Sequence, residues 1–162
     1  MPKKSKTNVP LLLSSILLSQ LAGAIGSIFT ASSIPTWYAT LTKPFFNPPN
    51  WLFGPVWITL YTLMGIALYI VWNKANASKK KNYFPVWLFL AHLVINTLWS
   101  IIFFGVKDLL AALLTIFLLW GMIFALIKMF YKIEKKAAYL LYPYLAWVSF
   151  ATLLNAALLL LN

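Results

Sequence analysis

Charge is scarce in this chain. Only 9% of its 162 residues are ionised while 62% are hydrophobic, and two alone are acidic, Asp108 and Glu134. An average soluble domain carries about 25% charged residues, spread over a surface that faces water. So little charge excludes a soluble domain and makes lipid the surrounding solvent.

Cysteine is absent. That removes disulfides, a thiolate nucleophile and any cysteine-based metal site, and it leaves the redox compartment unmarked. The shortage of acid removes more. Glu134 sits among lysines and Asp108 follows Lys107 in a turn, so no paired carboxylates exist for acid–base work or for holding a metal. A hydrolase, kinase or metalloenzyme needs such a constellation, and no metal site is expected. No glycine-rich phosphate loop is present. Nor does an acid lie inside an apolar run, where proton-coupled transport usually leaves one.

Five long apolar runs stand in place of charge: Val9–Ile34, Trp51–Trp72, Tyr83–Phe104, Leu109–Ile127 and Ala137–Leu161. All fifteen ionised side chains lie outside them. Each run has at least the roughly 17–25 residues that cross a hydrocarbon core. Ionised groups are costly at the bilayer centre, which accounts for their exclusion. Backbone in lipid must satisfy its own hydrogen bonds, so such spans are helical, and the alternating segments of a membrane β-barrel are missing. The expected fold is an all-α membrane protein, one domain over residues 1–162. It is a bundle of five transmembrane helices at about 9–34, 51–72, 83–104, 109–130 and 137–161.

The lysines orient this bundle. With alternate connections on opposite sides, Lys3, Lys4 and Lys6 share a side with Lys74, Lys79, Lys80, Lys81, Lys128, Lys132, Lys135 and Lys136. Only Lys43 and Lys107 face the other way. The positive-inside rule then puts the N-terminus in the cytoplasm and the C-terminus outside, in what is expected to be a prokaryotic cell membrane. The net charge of +11 is therefore read as topology and attraction to anionic lipid, and no nucleic-acid partner is expected. The basic start, apolar run and small stretch Leu21-Ala22-Gly23-Ala24 mimic a secretory signal. Apolar character continues to Ile34, and cleavage would leave four spans, so an uncleaved first helix is expected.

Pro35–Asn50 is the one long connection on the lightly charged side, and its four prolines bar a single helix. Its apolar residues Trp37, Tyr38, Leu41, Phe45 and Phe46 make it either a packed lid over the bundle or an interfacial aromatic anchor. Asn73–Asn82 reads as a solvated loop. Gly105–Asp108 reads as a tight turn that makes helices three and four antiparallel neighbours. Pro10 and Pro85 fall in first turns, whereas Pro143 should free the carbonyl of Tyr139 and bend helix five. Ala22/Gly26, Gly23/Ser27 and Gly121/Ala125 have the small-xxx-small spacing, suited to packing within the bundle or to a dimer.

Candidate binding residues are mostly aromatic. Eight tryptophans and eight tyrosines are present. Trp57, Tyr61 and Gly65 share one face of helix two, and Tyr144, Trp147, Ala151 and Asn155 one face of helix five. Such faces fit a flat, largely apolar ligand or ordinary helix packing. His92 lies on a face with Asn96, Trp99 and Phe103. It has the chemistry of an axial haem ligand or pocket hydrogen-bonding group, and equally of a neutral histidine bonded to a neighbouring helix.

Several stretches carry a resemblance. Trp37-Tyr38, Lys43-Pro44, Asn47-Pro48-Pro49-Asn50-Trp51, Gly54-Pro55-Val56-Trp57, Asn96-Thr97-Leu98-Trp99, Phe103-Phe104-Gly105 and Leu141-Tyr142-Pro143-Tyr144-Leu145-Ala146-Trp147 with Phe150-Ala151-Thr152 together resemble the translocator protein/tryptophan-rich sensory protein (TspO/MBR) family. The likeness runs from about Gly23 to Asn155. It implies a five-helix bundle, commonly a homodimer, whose pocket is closed by the first long loop. It implies a receptor, sensor or translocator that binds tetrapyrroles such as protoporphyrin IX or haem as ligands, with no tightly bound cofactor. The pocket residues it implies are Ser27, Thr30, Trp37, Tyr38, Phe53, Gly54, Trp57, Asn96, Trp99, Trp147, Ala151 and Leu154. Trp57 and Trp147 match tryptophans linked in some bacterial relatives to light- and oxygen-dependent porphyrin breakdown, so they are the catalytic candidates if the protein is an enzyme. A structural membrane scaffold is the third reading. Two departures stand out. The end of helix five lacks the tyrosine and basic residue of the animal cholesterol motif, which points away from specific sterol recognition. Ala111 stands where animal members carry a tryptophan, so one aromatic wall is expected to be missing.

Overall fold

A computed structural model describes residues 7–162, and among them every regular element is helical. The helices are α1 (Val9–Ser33), α2 (Phe53–Ala77), α3 (Phe84–Ser100), α4 (Leu109–Ile133), α5 (Lys135–Tyr139) and α6 (Tyr142–Leu161). They make five spans long and apolar enough to cross a membrane, α5 and α6 together forming the fifth. Two helices start on side-chain caps: Asn8 accepts from the Leu11 N–H, and Asp108 from the Ala111 N–H.

Every span outruns its apolar stretch or is reshaped by proline. The first does not stop at Ile34 but continues through a π-helical turn, Ile34–Tyr38. Pro35 has no N–H to give and its ring crowds the preceding turn; a widened turn accommodates both. Trp37 and Tyr38 thereby sit on helix, not in a loop, and the irregular connection shrinks to residues 41–49. A 3₁₀ turn, Asn50–Leu52, leads into α2. At its far end α2 runs on to Ala77 and carries Lys74 in its last turn, so the solvated loop is shorter than Asn73–Asn82.

Between α3 and α4, residues Ile101–Val106 form a second π segment that includes Gly105. The chain reverses at Lys107, which takes a left-handed conformation with φ 65°. The fifth span breaks at Leu140–Leu141, where a bend was expected. Pro143 cannot donate to the Tyr139 carbonyl, and it serves instead in the first turn of α6.

The small residues of α1 are used inside the bundle. A Cβ on Gly23 would run into the Tyr61 ring, and one on Gly26 would meet Ser100 Oγ at 3.1 Å. A Cβ on Gly65 would fall 2.5 Å from the Ile16 backbone. Helices in lipid associate by such close contact, because lipid tails give no hydrophobic drive for it. Gly121, in contrast, has open space beside it, so it makes no such close approach within the bundle. The core between the helices is filled by residues such as Met64, Leu68, Phe89, Ile116, Phe130 and Leu158, all fully buried.

Lys74 forms an ion pair with Glu134, which joins the end of α2 to the α4–α5 junction. The Asn8 N–H donates to the Tyr69 hydroxyl at 3.2 Å. The start of α1 and the ends of α2 and α4 therefore share one end of the bundle, the lysine-rich one. Lys3, Lys4 and Lys6 lie outside the described residues.

Candidate functional site

At the opposite end the helices part around a cavity of about 480 Å³. One face of α1 and its π turn lines it with Gln20, Gly23, Ala24, Ser27, Thr30, Ala31, Ile34 and Tyr38. Asn50, Phe53, Gly54, Trp57, Ile58 and Tyr61 come from the α2 side, and Trp99, Ser100, Phe103 and Phe104 from α3 and its π segment. Trp147, Phe150, Ala151, Leu154 and Asn155 come from α6. Steps of three and four along each helix bring these side chains to one face.

The aromatic rings hold one another in place. Trp57 stacks on Tyr61 with centroids 5.4 Å apart and meets Tyr144 edge-on at 6.3 Å. Phe53 meets Trp147 edge-on at 6.2 Å, and Trp99 lies against Phe103 at 5.2 Å. Ring pairs in these arrangements add roughly 0.5–1.5 kcal/mol each beyond the area they bury. The Trp99 indole N–H donates to Asn155 Oδ1 at 3.3 Å, while Asn155 Nδ2 donates to the Leu109 carbonyl at 2.9 Å.

Of the residues implied by the family resemblance, the cavity gathers all but Trp37 and Asn96. Trp37 turns onto Phe103, edge-on at 5.8 Å. Asn96 stands behind the wall: its Oδ1 accepts from the Tyr61 hydroxyl, and its Nδ2 donates to the Tyr144 hydroxyl at 2.8 Å. Asn96 is 1% exposed, so it holds Tyr61 without reaching the cavity itself. Tyr61, Phe103 and Asn155 lay on faces visible in the sequence yet were not among the implied site residues. Gln20 was missed entirely; a polar side chain in the middle of an apolar run was its only signal. No residue of α4 lines the cavity. Ala111 is therefore no part of the wall, and Phe103 and Phe104 of the π segment line the cavity.

The connection over the cavity is packed. Tyr38 is 2% exposed and its hydroxyl donates to Asn47 Oδ1. Lys43 Nζ lies 5.0 Å above the Tyr38 ring and donates to the Leu41 carbonyl at 3.1 Å. Asn162 ties the loop to the end of α6, accepting from the Thr42 N–H at 2.8 Å and donating back to the Thr42 carbonyl at 3.0 Å. Phe46 reaches the Phe150 ring at 6.3 Å. Phe45 is fully exposed and alone fits the anchor reading. The rest is a lid.

His92 does not face the cavity. Its Nδ1 bonds the Phe89 carbonyl of its own helix, and not the neighbouring helix to which a structural histidine was expected to bond. A carbonyl only accepts, so Nδ1 carries a proton, and Nε2 is buried without a hydrogen-bond partner.

Comparison with known proteins gives the same answer as the motifs. The family model described as the TspO/MBR family matches residues 15–161. A tryptophan-rich protein TspO of Archaeoglobus fulgidus is 47% identical over 157 residues, covering 96% of this chain and 99% of that one. The human translocator protein is 41% identical over 131 residues, 81% of this chain and 78% of its own length. A tryptophan-rich sensory protein of Cereibacter sphaeroides is 35% identical over 126 residues, 78% of this chain and 77% of that one. With the five apolar helices and the lidded aromatic cavity already described, the match places this multi-pass membrane protein in the TspO/MBR family.

Proposed function

We propose that this protein is a membrane receptor or carrier for planar tetrapyrroles, with protoporphyrin IX or haem as ligand and not as resident cofactor. The observation that carries the reading is the convergence of the Trp57, Trp99 and Trp147 indoles on one lidded cavity. Its 480 Å³ lies within the roughly 300–1,000 Å³ of small-molecule sites. Flat apolar walls gain dispersion against a flat ring system. Asn50, Ser27 and Gln20 at the cavity surface offer a few polar atoms for the ring's substituents. No histidine lines the cavity, so haem would find no histidine ligand for its iron there. The names of the relatives, sensory and translocator proteins, support sensing or movement of the ligand over turnover.

The test is a titration of tryptophan fluorescence in purified protein with protoporphyrin IX, haem and a sterol. Saturable quenching by the tetrapyrroles and little by the sterol is the expected result; a scaffold would show no saturation with any. A second reading is favoured by one observation, that Trp57 and Trp147 both line this cavity. Electron-rich indoles beside a photoexcited porphyrin suit light-driven breakdown by dioxygen. Illumination separates the readings: loss of the porphyrin spectrum that vanishes in Trp57→Phe and Trp147→Phe supports an enzyme, and equal loss in all three rules it out.

In this reading the protein is a homodimer in a prokaryotic cell membrane. Its lysine-rich end is cytoplasmic and its lid is outside, in keeping with the positive-inside rule.

A further inference from the structure

The rim of the cavity is not where the lid is. Of its lining residues, Ala24, Ser27 and Ala31 of α1 and Asn50, Gly54 and Ile58 on the α2 side are exposed. They form two facing rows. At 1.5 Å per residue each row runs about 10–12 Å along its helix, so the opening is a slot between α1 and α2. Small side chains, and none on Gly54, keep it open; a Cβ on Gly54 would meet nothing within 4 Å.

What surrounds this slot is apolar. Leu21, Ile25 and Ile28 beside one row are 56%, 42% and 69% exposed, and Trp51 beside the other is 71% exposed. Both rows also lie within the membrane-spanning segments. Side chains of this kind face lipid, not water. The one hydroxyl in the α1 row, on Ser27, is already satisfied by the Ala24 carbonyl at 2.7 Å. Toward the lysine-rich end the slot is shut: Gln20 Nε2 donates to the Ile58 carbonyl at 3.0 Å and the Thr62 hydroxyl at 2.9 Å. Beyond Gln20, Gly65 seats α2 against the Ile16 backbone. Toward water the Thr42–Asn162 and Tyr38–Asn47 bonds hold the lid down.

We propose that the cavity exchanges its ligand with the lipid phase through the slot between α1 and α2, in the half of the bilayer nearer the lid, while the lid stays closed. The ligand class is then a membrane-dissolved planar amphiphile, and the aqueous phase takes no part in loading. This inference rests on the tetrapyrrole-binding reading above.

The chain has no cysteine, so a pair introduced as Thr42→Cys and Asn162→Cys is the sole thiol pair and can lock the lid through a short bifunctional maleimide. Protein in phosphatidylcholine vesicles is mixed with protoporphyrin IX and quenching is followed in time. The locked protein should associate within about twofold of the unlocked one, and Ala31→Trp, which narrows the slot, should slow association and release together by about tenfold. Association that stops on locking, or rates that Ala31→Trp leaves unchanged, would overturn the lateral route. The unlocked double-cysteine protein controls for folding. Vesicles of unaltered protein that never quench saturably remove the binding reading and this inference with it. Binding that is present before locking and lost after it removes the route alone.

Discussion

Replacing Gly65 by alanine should drive two helices apart. The added Cβ would lie 2.5 Å from Ile16 Cα and 3.0 Å from Ile16 N, where ordinary contact begins near 3.4 Å. The obstacle is backbone, so no side chain can swing aside and α1 must retreat locally by about 1 Å. A gap of about 0.5–1 Å already forfeits a quarter to a half of the dispersion well for the atoms concerned. Overpacking of this kind costs roughly 1–3 kcal/mol, and a strain against backbone belongs in the upper half of that range. Alanine recovers about 1 kcal/mol as the better helix former, which leaves a net loss of about 1–2 kcal/mol. Gly121 supplies the matched control, since nothing lies within 4 Å of its added Cβ; Gly121→Ala should gain up to about 1 kcal/mol. Thermal unfolding of the purified proteins in one detergent, read by tryptophan fluorescence, should give shifts of opposite sign. A Gly65→Ala protein as stable as its parent, or two shifts in the same direction, would refute the reasoning.

Three further outcomes are expected. Ala151→Phe should fill the cavity and abolish protoporphyrin quenching without lowering the unfolding temperature; unchanged affinity would take the α6 face out of the site. Lys74 bonds Glu134 and attracts its charge, holding the carboxyl below its usual 4.5. A carboxyl depressed in the folded protein adds stability that is full above that value and fades as acid carries the pH down through the folded one. The stability deficit of Glu134→Gln at neutral pH should therefore close in acid and shrink with salt, and a deficit independent of pH would show that the pair contributes nothing. Lastly, a cysteine replacing Lys79 should be labelled only from the cytoplasmic side, and labelling from outside intact cells would reverse the topology.

Much of the architecture was legible because lipid leaves the chain few options. An apolar run of some twenty residues between lysines is a helix wherever it occurs, since its peptide groups find no partner in oil but each other. The helix ends were less legible. The first span was expected to close at Ile34, before Pro35, and the fifth to bend without breaking at Pro143. Proline forbids one hydrogen bond but does not say how the chain responds: a widened turn rescued one helix, and a two-residue break interrupted the other. Lys74 and Lys132 were expected in connections and instead ride on the last turns of α2 and α4; a lysine stem is itself apolar and lets a helix outlast its greasy core.

The candidate site divides in the same way. Trp57, Trp99, Trp147 and Ala151 were readable because they recur at helical spacing on faces that carry family motifs. Asn96 sat on such a face too, yet it stands one layer behind the cavity, and Trp37 points at Phe103. A face is a sector some 100° wide, and spacing along one helix does not say which part of it meets a void and which part meets a neighbour.

By itself, then, the sequence determined the number of crossings, their helicity, the lysine asymmetry and the supply of aromatic faces, because each depends on one segment and its solvent. Only the tertiary structure decided that Phe103 and Phe104 would line the cavity while α4 stays out of it, that Asn162 would fasten a loop 120 residues away, and that the slot would lie between α1 and α2. Those outcomes depend on how closely two backbones approach, and that distance is set by pairs of residues on different helices, such as Gly65 and Ile16, which no single segment contains.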